Sequence, residues 1–372
     1  MHKFKHFDFF FMGRRTRNIL LTLTLYATLL FTTSNAQDKT PLFVFGDSLY
    51  DGGMTLYNGV EGAGAEFWPY GMTYFKRPAG RYSDGRVIPD FLAQYVGLPF
   101  LRPYLQPGLE DFTQGINFAS ASACVLVETR PGTINLARQM YYFNQMFHRL
   151  KLQVGEFEAN KIISKAVYLF NIGGNDLFSL FETNRGGFPL SPFLKGDYVN
   201  QILGNLTNHI YTIYSQGGRK FAFQNVGPIG CMPSMKSMLH YDGSCLEEPL
   251  ELARMYNAEF AALANRLQYR LPGFKYTIYD FHTSLHIRVL NGNRFGFKES
   301  ETACCGSGPF NGGFTCQKEG HSFSICSNPA DYLWFDAGHT TDRANEQFAS
   351  EFWLGGPNVV APCNLQTFLA MS

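Results

Sequence analysis

Ser48 stands at the end of Val44-Phe45-Gly46-Asp47-Ser48, where a short apolar run gives way to a small polar turn. A serine there can cap the start of a following helix, or it can serve as a nucleophile. The second role requires a histidine to take the hydroxyl proton and a carboxylate to orient that histidine. Of the nine histidines, His339 alone has a carboxylate three residues ahead, in Phe335-Asp336-Ala337-Gly338-His339. At that spacing in a turn, Asp336 can accept from one ring nitrogen while the other faces Ser48. An exposed loop histidine is the plain alternative. His282, two residues after Asp280, is the main rival, although that spacing suits Asp280 better to capping a helix.

Acyl transfer also needs donors aimed at the oxygen on which negative charge develops. Asn171-Ile172-Gly173-Gly174-Asn175-Asp176 offers one, because two glycines allow a sharp turn and the amide of Asn175 can then point inward. The same residue types also make an ordinary tight turn.

These residues need elements to hold them. Residues 42–45, 116–119, 166–172, 220–225 and 275–279 read as short apolar strands, as buried parallel strands do. Residues 198–214 and 250–271 carry helical apolar stripes ended by Gly217-Gly218 and Pro272-Gly273. Strands alternating with helices imply a parallel sheet covered on both faces, with the site at the carboxyl ends of the strands. Ser48, residues 119–123 and residues 173–176 all fall on that rim.

The chain has 372 residues, 45% of them hydrophobic, and a net charge of +1, so no charged tail points to nucleic acid. Charged residues reach only 16%, against about 25% in an average domain, and aromatic residues also reach 16%. Apolar ligands fit that balance. Basic residues from His2 to Arg17, an uncharged run over 18–33 and Ser34-Asn35-Ala36 read as a signal peptide over 1–36, leaving residues 37–372 as a single domain. No other stretch is apolar enough to span a bilayer. Secretion would oxidise the eight cysteines, whose spacing lacks any C-x-x-C pair and suits disulfides stapling a long loop better than zinc. The sequon at Asn205-Leu206-Thr207 lies on the polar face of its helix, where a glycan would reach solvent.

Taken together, Phe45-Gly46-Asp47-Ser48-Leu49, Gly173-Gly174-Asn175-Asp176 and Asp336-Ala337-Gly338-His339 resemble the blocks of plant secreted GDSL esterases/lipases of the SGNH hydrolase superfamily. Trp68-Pro69-Tyr70-Gly71, residues 80–86, Gly227-Pro228-Ile229-Gly230-Cys231 and Cys304-Cys305-Gly306 fit the same branch. The resemblance implies an α/β fold of flavodoxin-like, three-layer α/β/α type with a central parallel sheet of about five strands. It also implies a catalytic set of Ser48, Asp336 and His339. Asn175, the N–H of Ser48 and the N–H of Ala121 would form the oxyanion hole. No cofactor or metal is implied, and the partner would be a small ester or lipid. One block departs from the pattern: Asn117-Phe118-Ala119-Ser120-Ala121-Ser122-Ala123-Cys124 carries Ala, Ser and Cys at 121, 122 and 124, where relatives carry glycine. A side chain there costs energy if the backbone needs positive φ.

Three functions compete. The acyl group can pass to water, or to another alcohol as in acyltransferases of the same family, or the scaffold can bind without catalysis. An α/β-hydrolase is disfavoured because no G-x-S-x-G elbow occurs, and Walker A and H-E-x-x-H patterns are also absent.

Overall fold

The five apolar segments pair as parallel neighbours in one sheet. The computed structural model describes residues 39–58, 65–183, 190–239, 243–316 and 320–371, so the signal segment expected over 1–36 lies outside the described residues. The strands are β1 (Leu42–Gly46), β2 (Gly115–Asn117), β3 (Val167–Asn171), β4 (Lys220–Gln224) and β5 (Lys275–Tyr279). Sheet order is β2-β1-β3-β4-β5, and a short antiparallel strand that the sequence reading does not contain (Val360–Ala361) closes the β5 edge. The chain moves from β1 to β2 on one side and to β3 on the other. That reversal opens a crevice beyond the carboxyl end of β1.

Alternation along each strand feeds two cores. Phe43, Phe45, Tyr168, Phe170, Phe221 and Phe223 point to one face, while Leu42, Val44, Val167, Leu169 and Ala222 point to the other. Parallel register places the aromatic rings side by side. Phe118, Phe45, Phe170 and Phe223 form one row with centroids 5.1, 4.9 and 5.6 Å apart. Phe43, Tyr168, Phe221 and Phe274 form a second, at 5.7, 5.3 and 4.7 Å. Much of the aromatic content is therefore core.

The aromatic face is covered by α2 (Leu136–Val154), α3 (Glu156–Lys165), α4 (Gly174–Thr183), α5 (Pro192–Ser215) and α7 (Glu247–Arg270). The aliphatic face is covered by α1 (Ile88–Val96), α8 (Phe281–Leu290), α9 (Asp342–Leu354) and α10 (Leu365–Ala370). A short α6 (Pro233–Leu239) lies between α5 and α7 in sequence. The layering is α/β/α, as expected. The helix expected over 198–214 starts earlier, because Ser191 accepts from the Leu194 N–H and Pro192 occupies the first turn.

Six cysteines are bridged: Cys231 to Cys245, Cys304 to Cys326 and Cys305 to Cys316. The last two bridges clamp the loop between 304 and 326. Among the described residues no helix is long and apolar enough to cross a membrane. Asn205 is exposed on α5, its amide donating to the Gln201 carbonyl.

Candidate active site

At the end of β1, Gly46 lies beside Asn171, the last residue of β3. Gly46 has φ of 149°, and a Cβ there would lie 2.2 Å from the Asn171 carbonyl oxygen, so the strand must end in glycine. Gln139 clamps this residue from α2, accepting from its N–H at 3.0 Å and donating to its carbonyl at 2.8 Å. Ser48 follows in a turn. It caps no helix: among the described residues the next helical turn is the single 3-10 turn at Met54–Tyr57, six residues on. Asp47 supplies the turn's side-chain bond instead, accepting from the Leu49 N–H at 3.0 Å. The Ser48 hydroxyl is left to face His339, with Oγ 2.7 Å from Nε2.

The other face of His339 meets Asp336. Nδ1 lies 2.7 and 2.9 Å from the two carboxylate oxygens, and the backbone N–H groups of Gly338 and His339 donate to Oδ1 at 2.9 and 2.8 Å. Phe335 N–H donates to the His339 carbonyl at 2.7 Å and closes the turn. A fourth group completes Asp336: the Tyr70 hydroxyl donates to Oδ2 at 2.7 Å. The Tyr82 ring lies against the imidazole, with centroids 4.8 Å apart.

Burial alone would lift the Asp336 carboxyl, but the charge and N–H of His339, the Tyr70 hydroxyl and the Gly338 N–H hold it below its usual range. Burial likewise disfavours a charged imidazole, yet the Asp336 charge and hydrogen bond, with Asp47 beyond, raise His339 above its ordinary 6.5. Asp47 is fully buried and pushed up to about 6 by that burial.

The altered block lies opposite. Ala121 N–H donates to Asp51 Oδ2 at 2.9 Å and to Thr55 Oγ1 at 2.8 Å, so it is committed to the protein and not aimed at a substrate. This is the N–H expected at the oxyanion, and here its hydrogen bonds run to Asp51 and Thr55. The left-handed residue is also not Ala121 but Ser122, with φ of 60°. The N–H groups of Ser48 and Ser122 make no hydrogen bond among the described residues. Asn175, in the first turn of α4, donates one amide proton to the Ala123 carbonyl at 3.1 Å and keeps the other. Asp176 accepts from the N–H groups of Val125 and Leu126, both at 2.9 Å, and holds the end of the block.

Ser48, His339, Ser122 and Asn175 line one cavity of about 290 Å³, with Tyr82 and the backbone of Ala121 beside them. Its remaining wall is largely apolar, including Phe178, Val226, Ile229, Met232, Leu285 and Phe314. Asp336 lies buried behind His339. His282 does not reach the cavity: it is buried on α8, which Asp280 caps by accepting from the Thr283 N–H at 3.1 Å. The cysteine and histidine group at Cys231, Cys245 and His286 includes a disulfide and leaves no thiolate pair for a metal.

Tyr70, Asp51, Thr55 and Arg130 are functional candidates that sequence reasoning does not single out. Tyr70 sits in the block Trp68-Pro69-Tyr70-Gly71 but 266 residues from Asp336, and no local spacing links them.

Residues 42–352 match the family described as GDSL-like lipase/acylhydrolase. The chain is 43% identical to "GDSL esterase/lipase 4" of Arabidopsis thaliana, over 90% of this chain and 91% of that protein. It is 40% identical to "GDSL lipase" of Tanacetum cinerariifolium, over 95% and 94%. A second Arabidopsis thaliana relative, "Inactive GDSL esterase/lipase-like protein 25", is 35% identical over 89% of this chain and 75% of its own.

Proposed function

The chain belongs to the GDSL-like lipase/acylhydrolase family and is a carboxylic ester hydrolase, and from that premise we propose that it works through an acyl-enzyme on Ser48. Because one relative is named inactive, the catalytic reading rests on a geometric observation: Ser48 Oγ, His339 and Asp336 in hydrogen-bonded series. With Asp336 ionised, His339 Nδ1 carries a proton and Nε2 accepts from the Ser48 hydroxyl. As Oγ attacks the ester carbonyl, Nε2 takes that proton, and it returns the proton to the departing alcohol. Water then repeats the sequence and releases the acid.

The developing oxyanion would be held by the Ser48 N–H, the Asn175 amide and the Ser122 N–H, which replaces Ala121 in that role. What supports this assignment is that Ala121 is engaged by Asp51 and Thr55, while Ser122 and Ser48 have N–H groups free at the same cavity. Tyr70 acts as a positioning residue, fixing the Asp336 carboxylate against the imidazole. Secretion after removal of residues 1–36 and a glycan on Asn205 complete the reading; three disulfides and an exposed sequon support it.

The test compares wild type with Ser48→Ala on short-chain acyl esters and adds a fluorophosphonate probe. The variant should lose kcat/KM by roughly four orders of magnitude or more and take up no probe. Equal turnover by the two proteins, or labelling at another residue, would overturn the mechanism.

A further inference from the structure

The cavity contains one guanidinium that the hydrolytic mechanism does not use. Arg130 enters from the loop after the altered block and lines the same space as Ser48 and His339. Its Nε donates to the Ser179 hydroxyl at 2.9 Å, and its Nη2 pairs with Glu182 Oε2 at 2.7 Å. Both partners stand on α4, so the side chain is braced along one edge, with the Phe178 ring 5.8 Å away. Nη1 makes no hydrogen bond among the described residues. A guanidinium offers five N–H donors in a flat fork, and here the edge formed by Nη1 and the second Nη2 proton remains for a ligand.

Position and charge point the same way. Arg130 is the only lysine or arginine among the described residues lining the cavity. Its side chain is 25% exposed, open to the cavity yet partly screened from water. Its field reaches the nucleophile's neighbour, because its charge helps to hold the Asp47 carboxyl down against burial. Glu182 lines the same cavity, but it meets only one of the five donors, at Nη2.

We propose that Arg130 is a recognition site for an anionic group, a carboxylate or a phosphate, carried by the ester substrate away from the scissile bond. This inference rests on the hydrolase reading above. The free edge of the fork takes the anion while the apolar wall takes hydrocarbon. Glu182 tunes the site by competing for the same cation.

The experiment uses matched pairs of esters that differ in one charge. One arm compares a 4-nitrophenyl half-ester of a dicarboxylic acid with its methyl-capped diester. The other compares a monoacylglycerol phosphate with the monoacylglycerol of the same chain. For each pair the readout is the ratio of kcat/KM, anionic over neutral. Arg130→Met should lower that ratio by about tenfold or more in at least one arm, and the arm affected tells carboxylate from phosphate. Arg130→Lys should retain part of it, and Glu182→Gln should raise it. Ratios unchanged in both arms for Arg130→Met would overturn the proposal while leaving the hydrolase intact. A wild-type protein that turns over no ester of either kind would overturn the hydrolase reading, and this inference with it.

Discussion

Asp336 reaches His339 across three residues of one turn, whereas the donors facing them across the cavity come from three separate stretches, at Ser48, Ser122 and Asn175. The base side is closed upon itself: every oxygen of Asp336 is satisfied by the turn, the imidazole or Tyr70. The side proposed for the oxyanion is assembled by remote clamps, with Asp51 and Thr55 holding Ala121, and Asp176 holding Val125 and Leu126. The first arrangement is local apart from Tyr70, which reaches it from 266 residues away. The second depends on the fold, and it is there that this chain replaces small residues by larger ones.

The comparison is sharpened first by Asn175→Ala. Loss of one oxyanion donor should lower kcat by about 10²- to 10³-fold with little change in KM. A change confined to KM would move Asn175 from the reacting oxygen to substrate binding.

Tyr70→Phe probes the opposite side and should cost less, about three- to tenfold in kcat/KM. Its signature is the pH profile. His339 must be neutral to act as base, and Asp336 raises its pKa, so activity falls as the pH drops through a value above 6.5. The Tyr70 hydroxyl draws on the Asp336 charge. Removing it leaves a stronger anion beside the imidazole and moves that acid limb to higher pH. A limb that stays in place would reduce Tyr70 to a packing residue.

The smallest effects separate neighbours in the altered block. Ser122→Gly relieves a left-handed side chain and should stabilise the fold by about 0.5–1 kcal/mol. Ala121→Gly gains no such relief and should destabilise it by about 0.5–1 kcal/mol. Urea unfolding of the two variants measures both, and shifts of the same sign would break the assignment of strain to Ser122.

The same division governs what the sequence makes legible. Strand β1 can be read because a strand buried on both faces is apolar at every position, and Gly46 marks its end. The contact of Asp336 with His339 can be read because it is local. Ser48 as a helix cap does not survive, since among the described residues no helix starts beside it and Asp47 takes the turn's hydrogen bond. The direction of the Ala121 N–H is set by Asp51, 70 residues away, and nothing in the local residues announces it. Tyr70 is hidden for the same reason. The Phe content suggests an apolar ligand, but the buried core consumes much of it, part of it in two rows across the sheet.

The paired bridges at Cys304 and Cys305 carry a consequence for where the protein can work. Cys304 and Cys305 donate their N–H groups to the carbonyls of Trp334 and Phe335, the residues that lead into the Asp336 turn. Ser48 and Asn175 extend from a sheet that no disulfide fastens, while the segment presenting the base leans on one stapled twice. Reduction of these two bridges should therefore loosen the segment that presents His339 before it disturbs the sheet, which amide exchange of residues 333–340 with and without reductant measures.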